Sequence, residues 1–383
     1  MDISLINKIK SSFKIEFNTD PLMVFSPGRI NLIGEHVDYN DGLVFPAAID
    51  KGIVLAIQKN IENQCTAIAN DFEESFHFQL SGLKPLANGG WRNYLIGIVS
   101  ELQKMGCKLT PFKIIFGGNV PSGAGLSSSA ALENAVVFGL NELFDLQLSK
   151  KQMILISQKA EHDYVGVKCG IMDQYASMFG EENHFHLLDT RSLKSKAFHI
   201  DLRGFDLILI NSNVQHNLSD STYNKRRTLC ENVSRSLQKE ALRDVSVKEL
   251  ETIKHTISKE DYQKVLYVVE EIERAKKAAE VINKNDIVAL GKLLFETHKG
   301  LSEQYEVSCE ELDFLVDLAK KSTAVLGARM MGGGFGGCII NIIKKIAADD
   351  FLAQTKKAYK NKFGYDCTVI KVKLSNGTQL INE

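Results

Sequence analysis

Apolar and polar positions follow three rhythms along the chain. Residues 5–14 read as a short helix. Val24–Phe25 leads into a stretch rich in Gly and Asn, which reads as a loop. Val44 to Ile57 is apolar and β-rich, and Phe112–Phe116 is a short apolar run; both read as strands. A Gly/Ser-rich loop follows, and then AALENAVVFGLNELF, which returns to the helical period. Residues 151–164 predict another helix, and His184–Leu188 and Phe205–Ile210 predict strands. From Asn224 to Lys320 the pattern changes. The segment is charged, with apolar positions at Val268, Val269, Ile272, Ala275 and Ala279, a spacing that predicts mostly helices. A Gly cluster at 332–337 interrupts it, followed by a buried strand at Ile339–Ile343 and a helix at Ala347–Lys362. Strands interleaved with helices in this way predict an α+β chain. At 383 residues, two domains are expected, 1–190 and 191–383.

Composition narrows the function classes. The chain is 44% hydrophobic and 24% charged, enough to bury a sizeable core, and its formal net charge of -1 gives no basic footprint for nucleic acid. No apolar run approaches the ~18 residues of a membrane span, and the amphipathic N-terminal segment lacks a secretory signal core. The seven cysteines are scattered and odd in number, with no C-x-x-C pair, which fits reduced thiols in the cytoplasm better than disulfides or a zinc site. His184 and His186 alternate on a strand, but no third ligand follows, so a structural role is expected. Lys225-Arg226-Arg227 reads as a solvated helix face, with room for one structural arginine.

The Gly/Ser loop carries the first chemistry. It runs from Gly117 through Pro121 and Ser122 to Gly123, Ala124, Gly125, Leu126, Ser127, Ser128 and Ser129, between a strand and a helix. Small residues let a backbone approach a ligand closely, and free N–H groups at a helix start attract an anion. Taken alone the loop is equally a turn with a serine N-cap. It lacks the Walker pattern G-x-x-x-x-G-K-[ST] and the dinucleotide pattern G-x-G-x-x-G.

PSGAGLSSSAALE resembles the central nucleotide-binding motif of the GHMP kinases. Two further motifs share the likeness. Pro27 to Gly42, PGRINLIGEHVDYNDG, resembles the galactokinase signature within that superfamily, with Val37 where threonine is commoner. Gly332–Gly337 resembles the third GHMP motif, with Met331 where the family usually has threonine. Weaker likenesses include Trp91-Arg92-Asn93-Tyr94 and Val307 to Asp313. The resemblance implies a two-domain GHMP kinase fold with its active site in the cleft between the domains. It also implies ATP-dependent phosphorylation of galactose at the anomeric hydroxyl, the entry step of galactose breakdown.

The resemblance assigns residues as follows. Asp173 acts on the anomeric hydroxyl, with Arg29 beside it. Glu35, His36 and Asp38 bind sugar, Tyr223 completes the pocket, and Gly170 supplies a backbone N–H. The loop from Gly123 to Ser129 wraps the ATP phosphates, and Trp91 and Tyr94 match the aromatics at adenine, although core packing accounts for them equally. Mg²⁺ is held by Glu161 with Ser128 or Ser129. The residue types suit these tasks: carboxylates accept from hydroxyls, imidazole can donate or accept, and Mg²⁺ takes few protein oxygens plus phosphates. Arg29 could act on the base, the sugar hydroxyl or the transferring phosphate, and the sequence leaves these open. Cys169 and Cys338 lie in motifs, but phosphoryl transfer needs no thiol, so both read as packing residues. Small molecules are the expected partners, with no nucleic acid, no membrane and a monomeric chain. Other readings are a kinase for N-acetylgalactosamine or another sugar, and a catalytically inactive sugar and ATP sensor.

Overall fold

In the computed structural model, the described residues are 2–121, 123–214 and 219–381. Ser122 of the Gly/Ser loop and residues 215–218, just ahead of Tyr223, lie outside them. The first half of the chain contains α1 (Ile3–Phe17), β1 (Leu22–Asn31), β2 (Leu43–Val44), β3 (Pro46–Lys59), β4 (Cys65–Ala69), β5 (Glu74–Phe78) and α2 (Trp91–Lys104). It continues with β6 (Phe112–Gly118), α3 (Ser128–Phe144), α4 (Lys150–Ala160), α5 (Met172–Phe179), β7 (His184–Asp189) and β8 (Lys194–His199). The second half holds β9 (Phe205–Asn211) and five successive helices. These are α6 (Ser219–Ser236), α7 (Val247–Thr252), α8 (Lys259–Asn283), α9 (Ile287–Glu303) and α10 (Glu310–Lys321). It closes with β10 (Val325–Met330), β11 (Cys338–Lys344), α11 (Ala348–Phe363), β12 (Thr368–Lys371) and β13 (Gln379–Leu380).

The strands form three sheets, in the orders β13-β1-β3-β6-β4-β5, β10-β11-β9-β12 and β2-β7-β8. All pairings between strands are antiparallel except β4 with β6. The largest sheet is covered on one side by α1, through Leu5, Ile9 and Phe13, and on the other by α2, α3 and α5. Hairpin β7–β8 runs through residue 190, and β13 returns the chain end to β1. The helical segment from residue 224 to 320 is present as expected, as α6 to α10.

Helix starts follow local chemistry. Asp2 accepts from the N–H groups of Ser4 and Leu5 at the head of α1, and Ser258 accepts from Asp261 at the head of α8. Ser149 and Gln152 form a capping box on α4.

Two elements differ from the sequence reading where they reach the site. The Gly/Asn-rich stretch after Phe25 is strand as far as Asn31, with a register shift between Pro27 and Arg29. That bulge lets a β1 otherwise paired with β3 accommodate Pro27. Gly28 is required there because a Cβ would sit 2.6 Å from the Leu126 carbonyl oxygen. The helix expected over 151–164 is α-helical only to Ala160, and Glu161–Val165 forms a single π turn closed by Gly166 in the left-handed region. Such turns often sit at functional sites because the extra residue re-aims a side chain.

Candidate active site

Six elements deliver the functional side chains. Arg29 comes from the bulged end of β1, and Glu35, His36 and Asp38 from the loop after it. The 123–127 loop runs into α3, Glu161 sits in the π turn, and Asp173 lies in the first turn of α5. Tyr223 lies near the start of α6.

Arg29 and Asp173 form a bidentate pair. Nε donates to Oδ1 at 2.8 Å and Nη2 to Oδ2 at 2.7 Å. Two parallel bonds fix both groups in one plane. The third guanidinium nitrogen, Nη1, donates to the Gly125 carbonyl, and the Arg29 N–H donates to the Leu126 carbonyl at 3.0 Å. Ser127 in turn donates its hydroxyl to Asp173 Oδ2. Burial opposes the charge on Arg29, but the carboxylates of Asp173 and Glu35 outweigh it and raise its pKa.

A cavity of about 140 Å³ brings together Arg29, Glu35, His36, Asp38, Glu161, Gly170, Asp173 and Tyr223, with Gly332 and Gly333 on its wall. Glu35 is buried, and burial would raise its pKa, yet Arg329 and Arg29 bring it below the usual carboxylate range. Arg329 Nη1 donates to Glu35 Oε2 at 2.7 Å. Burial pushes the His36 pKa down to about 4, so the imidazole is neutral at pH 7. Its Nδ1 lies 2.9 Å from the Tyr39 hydroxyl, and its Nε2 is buried without a hydrogen-bond partner. Burial, then the charges of Asp173 and Glu35, push the Asp38 carboxyl up to about 7. Gly170 makes room for that carboxyl, since a Cβ would lie 1.9 Å from Asp38 Oδ2. Tyr223 packs on His36 and Tyr39, with ring centroids 5.5 and 5.1 Å away.

A second cavity, of about 400 Å³, adjoins the Gly/Ser loop. Trp91, Tyr94, Phe72 and Phe116 give it an aromatic wall, and Ser128 and Ser129 at the start of α3 stand at its mouth. The two aromatics named from the sequence therefore face a cavity, and they also pack against the core. Within the loop, Gly123, Gly125 and Ser127 have positive φ. Ala124 and Leu126 turn their side chains into the core, so at those two positions only backbone faces outward.

Glu161 is buried beside two residues the sequence reading did not single out. Gln174 Nε2 donates to Glu161 Oε2 at 2.9 Å and to Glu133 Oε2 at 3.1 Å. Burial and the neighbouring Glu161 hold the Glu133 carboxyl well above its usual range. Its Oε1 is buried without a partner. Glu161, with the buried Glu133 carboxyl beside it, lines the 140 Å³ cavity and offers hard oxygen of the kind a small divalent cation takes, whereas Ser128 and Ser129 line the aromatic-walled cavity.

Other expectations resolve as follows. Met331 is buried, and its sulfur accepts from the Asn31 N–H at 3.3 Å, so it serves the contact with β1. The basic run is structural at two positions. Arg226 Nε donates to the Tyr305 carbonyl at 3.1 Å, and Arg227 Nη1 to the Lys168 and Cys169 carbonyls at 3.0 and 3.2 Å. His184 bonds the Glu182 carbonyl at 2.8 Å, and His186 is buried against Tyr175. Cys338 is buried in the core, and Cys169 donates to Glu161 at 3.4 Å.

Arg329 was missed altogether. It is fully buried on β10 and donates to the Leu32 carbonyl at 2.8 Å, to the Asn31 carbonyl and to Glu35. The one signal in the sequence is an arginine inside an apolar run just before the Gly cluster.

The family model described as the galactokinase galactose-binding signature matches residues 11–59. Those for the GHMP kinases N terminal domain and the GHMP kinases C terminal match residues 93–181 and 276–361. A galactokinase of Thermotoga petrophila is 40% identical over 360 residues, covering 94% of this chain and 100% of its own. One from Clostridium acetobutylicum is 37% identical over 392 residues, covering 100% of both chains. Among solved structures, the Lactococcus lactis galactokinase complexed with galactose superposes with a TM-score of 0.93 at 31% identity, covering 97% of this chain and 98% of that one. The Methanococcus jannaschii mevalonate kinase shares the fold, with a TM-score of 0.68 at 18% identity, covering 93% and 99%.

The Arg329–Glu35 pair yields a stability prediction. Arg329→Met leaves Glu35 buried without its main partner and should cost about 3–5 kcal/mol. Urea denaturation should show a lower midpoint. Pairing the change with Glu35→Gln should recover much of the loss, and an unchanged midpoint for Arg329→Met would contradict the assignment.

Proposed function

Because this chain belongs to the galactokinase family of the GHMP kinases, and so phosphorylates galactose with ATP, we propose that the 140 Å³ cavity holds the sugar and the aromatic-walled cavity holds the nucleotide. The observation that carries this is the junction between them. Ser127 ends the phosphate loop and donates to Asp173, while Arg29 bonds both Asp173 and the Gly125 carbonyl.

In the proposed mechanism the anomeric hydroxyl of galactose lies on Asp173. Its oxygen attacks the γ-phosphorus of ATP, the bond from phosphorus to the bridging oxygen breaks, and ADP leaves. Asp173 accepts the hydroxyl proton as general base. Arg29 acts by holding Asp173, since each of its three guanidinium nitrogens is engaged with Asp173 or Gly125. Neutral His36 and Glu35 are placed towards carbon 6, and Asp38 and Tyr223 towards the carbon 3 and 4 hydroxyls. The backbone N–H of Gly170 lies next to the base. Backbone N–H groups of the 123–127 loop, with the start of α3, bind phosphate. Trp91 and Tyr94 flank adenine.

Glu161 with Ser128 or Ser129 would hold Mg²⁺, which when bound neutralises charge on the β- and γ-phosphates. Gln174 keeps one Glu161 oxygen engaged. We read the chain as two halves, 1–190 and 191–383, meeting at the sugar cavity, with hairpin β7–β8 and strand β13 crossing the line. No helix among the described residues is long and apolar enough to cross a membrane. All seven cysteines are free, which supports a reducing cytoplasmic setting. A monomer suffices for this reading.

Two variants test the assignments. Asp173→Asn keeps the shape but cannot take the proton, so turnover should fall by ~10²–10⁴-fold while galactose affinity changes less. Wild-type turnover in the purified variant would remove Asp173 as base. Glu161→Gln loses a hard anionic oxygen, so half-maximal rate should need several-fold more Mg²⁺. Superimposable Mg²⁺ titrations would take Glu161 out of the metal site.

A further inference from the structure

The sugar loop has a backbone that its own residues do not explain. Gly34 has φ +91° and His36 has φ +61°. A non-glycine residue in the left-handed region costs about 1–2 kcal/mol and persists only where the surroundings hold it. His36 also lies between two proposed sugar ligands, Glu35 and Asp38, so the turn sets where all three point.

The holding groups come from α8, in the other half of the chain. Glu271 is fully buried. Its Oε1 accepts from the Gly34 N–H at 2.8 Å and the Glu35 N–H at 3.3 Å. Its Oε2 accepts from Arg274 Nε at 2.7 Å and the Thr297 hydroxyl at 2.9 Å, so both oxygens are fixed. One helical turn earlier, Tyr267 donates its hydroxyl to the Glu35 carbonyl at 3.0 Å. Three backbone polar groups of Gly34 and Glu35, just ahead of His36, are thus read by one helix. A second line runs through rings. Tyr267 packs on Tyr305 at 4.9 Å, the Tyr305 and Tyr39 hydroxyls are 2.7 Å apart, and Tyr39 bonds His36 Nδ1.

We propose that Glu271, with Tyr267, is a positioning residue for sugar recognition, clamping the Gly34–His36 turn so that Glu35, His36 and Asp38 converge on the sugar. The inference rests on the reading of the 140 Å³ cavity as the galactose site. Glu271 does not line either cavity and acts through the loop backbone. Its effect therefore belongs to one substrate only. A residue that merely supports the fold would weaken galactose and ATP binding alike.

The test separates the two Michaelis constants. In Glu271→Gln, one oxygen becomes an amide that cannot accept from Arg274 or Thr297, and the charge that holds two backbone N–H groups is gone. The galactose KM should rise about tenfold, with the ATP KM within about twofold of wild type; the melting temperature should fall as well, because Arg274 loses its nearest carboxylate. Tyr267→Phe removes a single hydroxyl and should raise the galactose KM in the same direction by a smaller factor. It decides the matter alone if Glu271→Gln does not fold. An unchanged galactose KM in a folded variant, or equal rises for galactose and ATP, overturns the clamp. A wild-type protein that does not use galactose overturns the sugar reading itself, and the clamp with it.

Discussion

Everything at the centre of the molecule is arranged around the two parallel bonds between Arg29 and Asp173. Arg29 sits near the end of a bulged strand, Asp173 in the first turn of α5, and Ser127 at the end of the phosphate loop. The guanidinium joins them, because it bonds both carboxylate oxygens and the Gly125 carbonyl at once. A lysine would be a point charge and could not hold that plane. The pair thereby fixes the distance between the group that would take a proton and the loop that would hold the phosphates. In catalysis by positioning, an error of about 1 Å at such a junction costs ~10²-fold.

The surroundings are unusually rich in buried charge. Glu35 with Arg329 is a buried ion pair, buried Glu271 pairs with the half-buried Arg274, and Glu133 stands beside Glu161. Such pairs often add little to stability over apolar residues of similar size. Their placement here is better explained by what they hold. Arg329 and Glu271 both end on the backbone between Asn31 and Glu35, the segment that leads to the proposed sugar ligands. Stability is traded for a fixed turn, as is common where strain sits at a binding site.

The sequence showed the local parts of this site and hid the distant ones. Arg29, Glu35, His36 and Asp38 lie in one continuous motif, and the 123–129 loop in another, so their types and spacing could be read directly. Helices α6 to α10 were legible because their faces are amphipathic. Arg329 and Glu271 were not, because each acts across a fold-level contact, 294 residues from Glu35 and 237 residues from Gly34 respectively. A buried Glu in a charged helix looks like any solvated Glu until its neighbours are known. Gln174 and Glu133 were hidden for the same reason, although Gln174 adjoins Asp173 and Glu133 is the last residue of PSGAGLSSSAALE. The reading of Pro27 to Asn31 as loop failed because composition was allowed to outweigh pairing: a bulge let strand β1 carry a proline and a glycine.

On the proposed reading, convergent polar groups in the 140 Å³ cavity recognise galactose. Galactose and glucose have equal size and composition and differ in one hydroxyl at carbon 4, so apolar contact cannot separate them. Buried hydrogen-bonding groups can, because the wrong epimer leaves them unpaired, with discrimination reaching ~10⁴-fold in favourable sites. The decisive measurement is initial ADP release from ATP with each sugar, for the wild-type protein and for Asp38→Ala. The wild type should show a large preference for galactose and the variant a reduced, narrower one, with the ATP KM unchanged. Equal efficiency on the two sugars in the wild type would contradict it.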